Sequence, residues 1–225
     1  MKCFSIFILL ALPSAAVQTA EAKDYFDVLT ATCDRRSGKS RFVASVDVPV
    51  AGPEDVVRNV KRWICDVLEV DVPKNVDAAD FGMLIKQSSS AFLSDAEGGS
   101  RKVEITWTYE DPTCVTFESK VSDRDSVEWT TADVATFSKA GGRRVEASDV
   151  FACDENKIKE LMWQYRGSTA IDVTSPSRLY VGNVGFIDGW VVVIGPAENS
   201  GGAEYRIRYQ AAEPFLRPTT IGYCF

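Results

Sequence analysis

The stretch LYVGNVGFIDGWVVVIGPAENSGGAEYRIRY, Leu179–Tyr209, holds the densest strand signal in the chain. β-Branched and aromatic residues crowd Leu179–Val181, Val184–Ile187 and Trp190–Ile194, while Gly182-Asn183 and Asp188-Gly189 supply turn pairs between them, so two or three short strands are expected. Trp190–Ile194 shows no polar alternation, which predicts a strand covered on both faces and placed inside a sheet. A loop follows over Pro196–Gly202. From Ala203 to Gln210 the residues alternate, with Tyr205, Ile207 and Tyr209 on a dry side and Glu204, Arg206, Arg208 and Gln210 on a wet one. Ala211–Leu216 reads as a short helix or turn that Pro218 stops.

Working outward, Tyr25–Cys33 and Arg41–Val50 read as strands joined by a polar loop, Asp34–Lys39. Pro53 opens a helix whose apolar stripe is Val56, Val57, Val60, Trp63, Ile64, Val67 and Leu68. A second helix is expected over Asp77–Ala96, carrying Phe81, Leu84, Ile85, Ser88 and Phe92 inward and ending at Gly98-Gly99. Arg101–Glu110, with Val103, Ile105, Trp107 and Tyr109 on one side, pairs with Thr113–Val121 through the Asp111-Pro112 turn; Val127–Phe137 is the next extended segment. Asp154 is a good N-cap for a helix burying Ile158, Leu161, Met162 and Tyr165. Trp163 falls off that stripe. It is either a contact residue for a partner or packed against a neighbouring loop. These elements predict an α+β fold, a mostly antiparallel sheet or sheets packed against a few helices.

Composition narrows the functions. With 45% apolar and 11% aromatic residues, 225 residues suffice for a packed core. Residues 1–22 have the layout of a signal peptide: basic Lys2, apolar Phe4–Leu12, and Ala20-Glu21-Ala22 as a cleavage site. No cysteine follows the apolar run at lipid-anchor distance, and no later run is long enough to span a membrane, so the mature chain is expected outside the cytoplasm, periplasmic or secreted. Removing that segment leaves 24 basic against 31 acidic residues, a balance that disfavours nucleic acid and favours a cationic partner. Cys33, Cys65, Cys114, Cys153 and Cys224 remain, and in an oxidising compartment they suggest up to two disulfides and one odd thiol, or buried free thiols.

Catalytic signatures are missing. The chain has no histidine, which excludes Ser-His-Asp and Cys-His catalysis and His-based zinc sites. Gly38-Lys39-Ser40 lacks the leading glycine of a phosphate-binding loop, and Ser88-Ser89-Ser90 has no base beside it. Asp123, Asp125 and Glu128 alternate as calcium ligands do, without the glycine and distal glutamate of a calcium loop. No cofactor, metal or catalytic residue is assigned.

The order of apolar strand, GPAENSGGA loop, alternating YRIRY strand and closing AAEPFLRP resembles the C-terminal domain of the lysozyme-sensing anti-sigma factor RsiV of Gram-positive bacteria. The block Phe137–Arg166, with Gly141-Gly142 as its tight turn and Asp149 and Phe151 before a helix, is similar to the same RsiV-like family. The resemblance divides the mature chain into an N-terminal α+β region, 23–121, and a family domain, 122–225. It implies a non-catalytic binding or sensing module of the cell envelope, with a cationic protein such as lysozyme or a cell-wall component as partner. Glu198 and Asn199 in the loop, with Trp163, are the candidate binding residues. The alternative is a hydrolase that cleaves envelope glycan with two carboxylates, a pairing that leaves no local spacing to read.

Overall fold

The structure is a computed structural model and describes residues 26–96, 98–125, 127–167, 173–197 and 200–218; residues 1–22, expected as a signal peptide, and Cys224 lie outside these. β1 (Asp27–Ser37) and β2 (Ser40–Ala51) form an antiparallel hairpin. The loop expected over Asp34–Lys39 shrinks to Gly38-Lys39, with Gly38 at φ 57°, because Asp34 stays in register and accepts two hydrogen bonds from Arg41 at 2.7 and 3.1 Å. α1 (Glu54–Val67) follows Pro53 and buries Val56, Val60, Trp63, Ile64 and Cys65. α2 runs over Phe81–Asp95, four residues shorter at its start than its apolar spacing suggests, since Asp80 caps it by accepting from the Met83 amide. The two helices carry the chain across to β3 (Ser100–Glu110), which lies parallel to β2; β4 (Cys114–Arg124) and β5 (Glu128–Ser138) complete an antiparallel meander.

α1 and α2 cover one face of this five-stranded layer around Phe42, Val46, Val60, Ile64, Ile105 and Phe117. The division expected at 121/122 falls inside β4. The second layer starts after β5 with α3 (Ala147–Val150) and α4 (Glu155–Gln164), capped by Asp154 as the sequence suggests, and continues through β6 (Val184–Ile187), β7 (Trp190–Ala197), β8 (Ser200–Arg208) and α5 (Tyr209–Ala212). Leu179–Val181 is not a strand: the Leu179 amide closes a tight turn onto Pro176, although its side chain is buried. β7 is the middle strand of its sheet, and Val191, Val192 and Val193 are fully buried, as the unbroken apolar run requires. Its outer face, with Phe186, Tyr205 and Ile207, packs on Phe151, Ile158 and Met162.

The strand order is β1-β2-β3-β4-β5-β8-β7-β6, yet among the described residues β5 and β8 pair only at Thr131 and Gly202. Past that single contact β6–β8 folds back over the rear of β3–β5, giving four layers: helices, sheet, sheet, helices. Val134, Val192 and Ile194 form a small dry core between the sheets. A bulge between Trp107 and Tyr109 reverses the expected side for Tyr109, so Trp107 packs in the first core while Tyr109 stacks on Phe186 at 5.7 Å in the second. Outward-facing backbone groups of β6 are met by hydroxyls of the first sheet. Thr136 donates to the Val184 carbonyl (3.1 Å), Thr108 to the Phe186 carbonyl (3.3 Å), and the Phe186 amide donates to Thr116 (3.4 Å).

Candidate functional site: an acid-rimmed groove

α1 ends in a turn normally reserved for glycine. The Val70 amide bonds the Cys65 carbonyl and the Glu69 amide the Asp66 carbonyl, each at 3.1 Å, which is the Schellman pattern with Glu69 in the left-handed position at φ 56°. A non-glycine residue there costs roughly 1–2 kcal/mol, so the glutamate is held by something else. It reaches Arg101, whose Nη1 donates to Glu69 Oε2 at 2.8 Å. Arg101 also forks onto both Asp123 oxygens (2.7 and 2.9 Å) and stacks over Phe92, 5.3 Å to the ring centre. The Asp123 hydrogen bonds push its pKa up further, fixing a permanent positive charge in a ring of acids.

This knot separates two adjoining clefts that share Phe92, Asp95 and Ala96. The larger, about 490 Å³, runs between the end of α2 and the β4–β5 turn, where Asp125, Val127 and Trp129 form the outer lip. Trp129 and Val127 are each 52% exposed, unusual for residues of that size. Glu69, Asp95, Asp123 and Asp125 stand against Arg101 and Arg124, so the groove carries an acidic excess beside an open indole face. An exposed ring rimmed by carboxylates offers cation–π and ion-pair contacts to a positive group. Asp123, Asp125 and Glu128 do not gather into a metal-binding group among the described residues.

The sequence-derived candidates lie elsewhere. Glu198 and Asn199 fall outside the described residues; Ala197 pairs with Ser200, so strand pairing reaches into the expected Pro196–Gly202 loop. Trp163 is half-buried against the second core, and the Arg166 guanidinium stacks on it at 3.8 Å while donating to its carbonyl at 2.6 Å. Its ring face is therefore occupied. Trp129 gave no sequence signal of its own, because exposure of an aromatic within a strand is a tertiary property.

One carboxylate pair does form. Glu118 of β4 and Glu204 of β8 both contact Lys120 and Arg206 where the sheets meet, so Glu204 is mostly covered, while Arg206, Arg208 and Gln210 are exposed as the alternation predicts. Retaining glycosidases hold their carboxyls about 5 Å apart to admit the sugar, and inverting ones further. Glu118 and Glu204 are mostly buried and tied to Lys120 and Arg206, so this pair is not open to a sugar.

Of the cysteines, Cys33, Cys65 and Cys153 carry free thiols, and Cys114 is buried at the start of β4. A framework of two disulfides needs four of the five, so the two-bridge expectation does not hold. Cys33 and Cys65 belong to the first core and Cys153 to the second, each enclosed by apolar neighbours.

No family model matches the sequence, and no curated protein matches it. Solved structures do. The fold is similar to that of a DUF3298 family member from Bacteroides fragilis, with TM-score 0.60 at 10% identity over 89% of this chain and 96% of that one. A DUF3298 family protein from Pseudomonas aeruginosa PAO1 gives TM-score 0.55 at 12% identity over 87% and 95%. At such identities the likeness is one of fold, and the family is an uncharacterised one. It spans both layers rather than residues 122–225 alone.

Proposed function

We propose that the chain is a non-catalytic, extracytoplasmic binding module of the bacterial cell envelope whose partner is a cationic protein of the lysozyme type. The acid-rimmed groove with Trp129 at its lip carries the reading. A basic partner is drawn in by the -7 net charge and by Asp95 and Asp125, while the indole supplies the anchor that surface charges alone rarely provide. The resemblance to the lysozyme-sensing domain supports the same class of partner, and export after loss of residues 1–22 belongs to it. A cell-wall component is the second candidate ligand.

Calorimetry of the mature protein with a c-type lysozyme at low ionic strength is the test. A complex should form and weaken with salt, chiefly through slower association. Trp129→Ala should weaken it by roughly 30-fold, the effect of losing a hot-spot aromatic. No heat at high micromolar concentration removes lysozyme from consideration, and a complex indifferent to Trp129→Ala removes the groove.

A further inference from the structure

Where the sheets close on each other, Glu118 and Lys120 of β4 meet Glu204 and Arg206 of β8. The side chains of Glu118 and Glu204 are only 12% and 9% exposed, whereas Lys120 and Arg206, at 41% and 42%, stand at the open end. Arg206 contacts Glu204 at 2.6 Å and Glu118 at 3.6 Å; Lys120 contacts Glu118 and, at 3.3 Å, Glu204. Despite these ion-pair contacts, Oε1 of each glutamate lacks a hydrogen bond of good geometry. The remaining neighbours supply little charge: β5 presents Ala132 and Val134, β7 presents Val192 and Ile194, and on β3 Glu104 lies opposite Lys120 but is paired with Lys102 at 2.7 Å. Two mostly buried carboxylates thus lie side by side, sharing the same two cations at the open end.

We propose that this cluster is a pH-responsive clasp, in which one proton shared by Glu118 and Glu204 tightens β6–β8 on β3–β5 and its loss toward neutral pH loosens them. A single proton converts like-charge repulsion into a charged O–H···O hydrogen bond, among the strongest a protein makes. Burial pushes the Glu118 carboxyl up, and its hydrogen bond with Glu204 acts in the same direction. For Glu204, burial is outweighed by hydrogen bonds from Glu118 and Arg206, which hold it low. The pair therefore shares one raised and one lowered titration. Because the folded chain binds the first proton more tightly than the unfolded one, the added stability is fully present below the ordinary glutamate value of 4.5 and fades as pH rises through the raised folded value. Asp149, held at about 2 chiefly by its hydrogen bond with Arg143, acts oppositely and loses stability as pH falls. The clasp must then be read as a difference between variants.

Melting of wild type and Glu118→Gln across about pH 4 to 8 makes that comparison. The amide donates to Glu204 at every pH and does not titrate, so the melting temperature of wild type relative to the variant should shift upward as the solution becomes more acidic. Carbon-13 NMR of the glutamate carboxyls in wild type should show Glu118 titrating above 4.5. A difference in melting temperature that is flat with pH, or a Glu118 midpoint at or below that value, overturns the proposal; the NMR arm decides it alone if the variant does not fold.

Discussion

Replacing Gly185 with alanine tests the contact between the two sheets directly. A methyl group there would sit 2.9 Å from Thr116 Cγ2 and 3.0 and 3.1 Å from Cβ and Cγ2 of Val134. Neither neighbour can swing aside. Both are β-branched and fully buried, and Thr116 is tied to the Thr136 hydroxyl at 2.8 Å. Overpacking of this kind costs roughly 1–3 kcal/mol, offset by about 0.4–1 kcal/mol because alanine restricts the unfolded chain. The net loss of about 1–2 kcal/mol corresponds to a fall in Tm of roughly 2–8 °C for a chain of this length. Val134→Ala alone should cost about 2 kcal/mol through lost burial and a cavity. Combined, the alanine at 185 fills the space that Val134 vacates, so the double variant should be more stable than the sum of the single losses predicts by about 0.5–2 kcal/mol. Equilibrium urea denaturation of the four proteins measures the cycle. Additive losses, or a Gly185→Ala variant as stable as the parent, would refute the packing of β6 against β4 and β5.

Three further outcomes are expected. Gly142→Ala should cost at least about 2 kcal/mol, because φ is 70° and the new methyl would lie 2.5 Å from the Asp55 carbonyl carbon, whereas Gly141→Ala, with φ 92° and open space around it, should cost less in the same denaturation series. Thiol titration of the unfolded, unreduced protein should find three or more free groups, given the free Cys33, Cys65 and Cys153; a value near one would restore two disulfides. Intact-mass measurement on protein from its native host should place the N-terminus near Lys23, and a retained Met1 would contradict export.

The strands and helices were largely legible because their signals are local. Asp154 as a cap, the unbroken run at β7 and the Asp188-Gly189 turn, with Gly189 at φ 74°, each depend on a few consecutive residues. What escaped depends on the third dimension. Period-two alternation separates the two sides of β8 and places Arg206 and Arg208 in solvent, but does not say that Glu204 on the same side will be mostly covered where the sheets meet. Tyr109 shares its parity with Trp107, and only the bulge between them sends it into the other core. The groove was invisible for a similar reason: Glu69 occupies a glycine position without being glycine, and Arg101 becomes a knot only where Asp123 and Phe92 converge on it.

The threonine hydroxyls lining β6 have a consequence for self-association. Fibre growth by strand addition needs two vacant edges on each subunit, one to receive a strand and one to offer the next. Here one terminal strand already has backbone groups at Val184 and Phe186 engaged by Thr108, Thr116 and Thr136. β1, the other terminal strand, is long but carries Asp34, Arg35 and Arg36 in its second half. Copies that pair through β1 use up their vacant edge in doing so, and the assembly closes as a two-fold dimer instead of propagating.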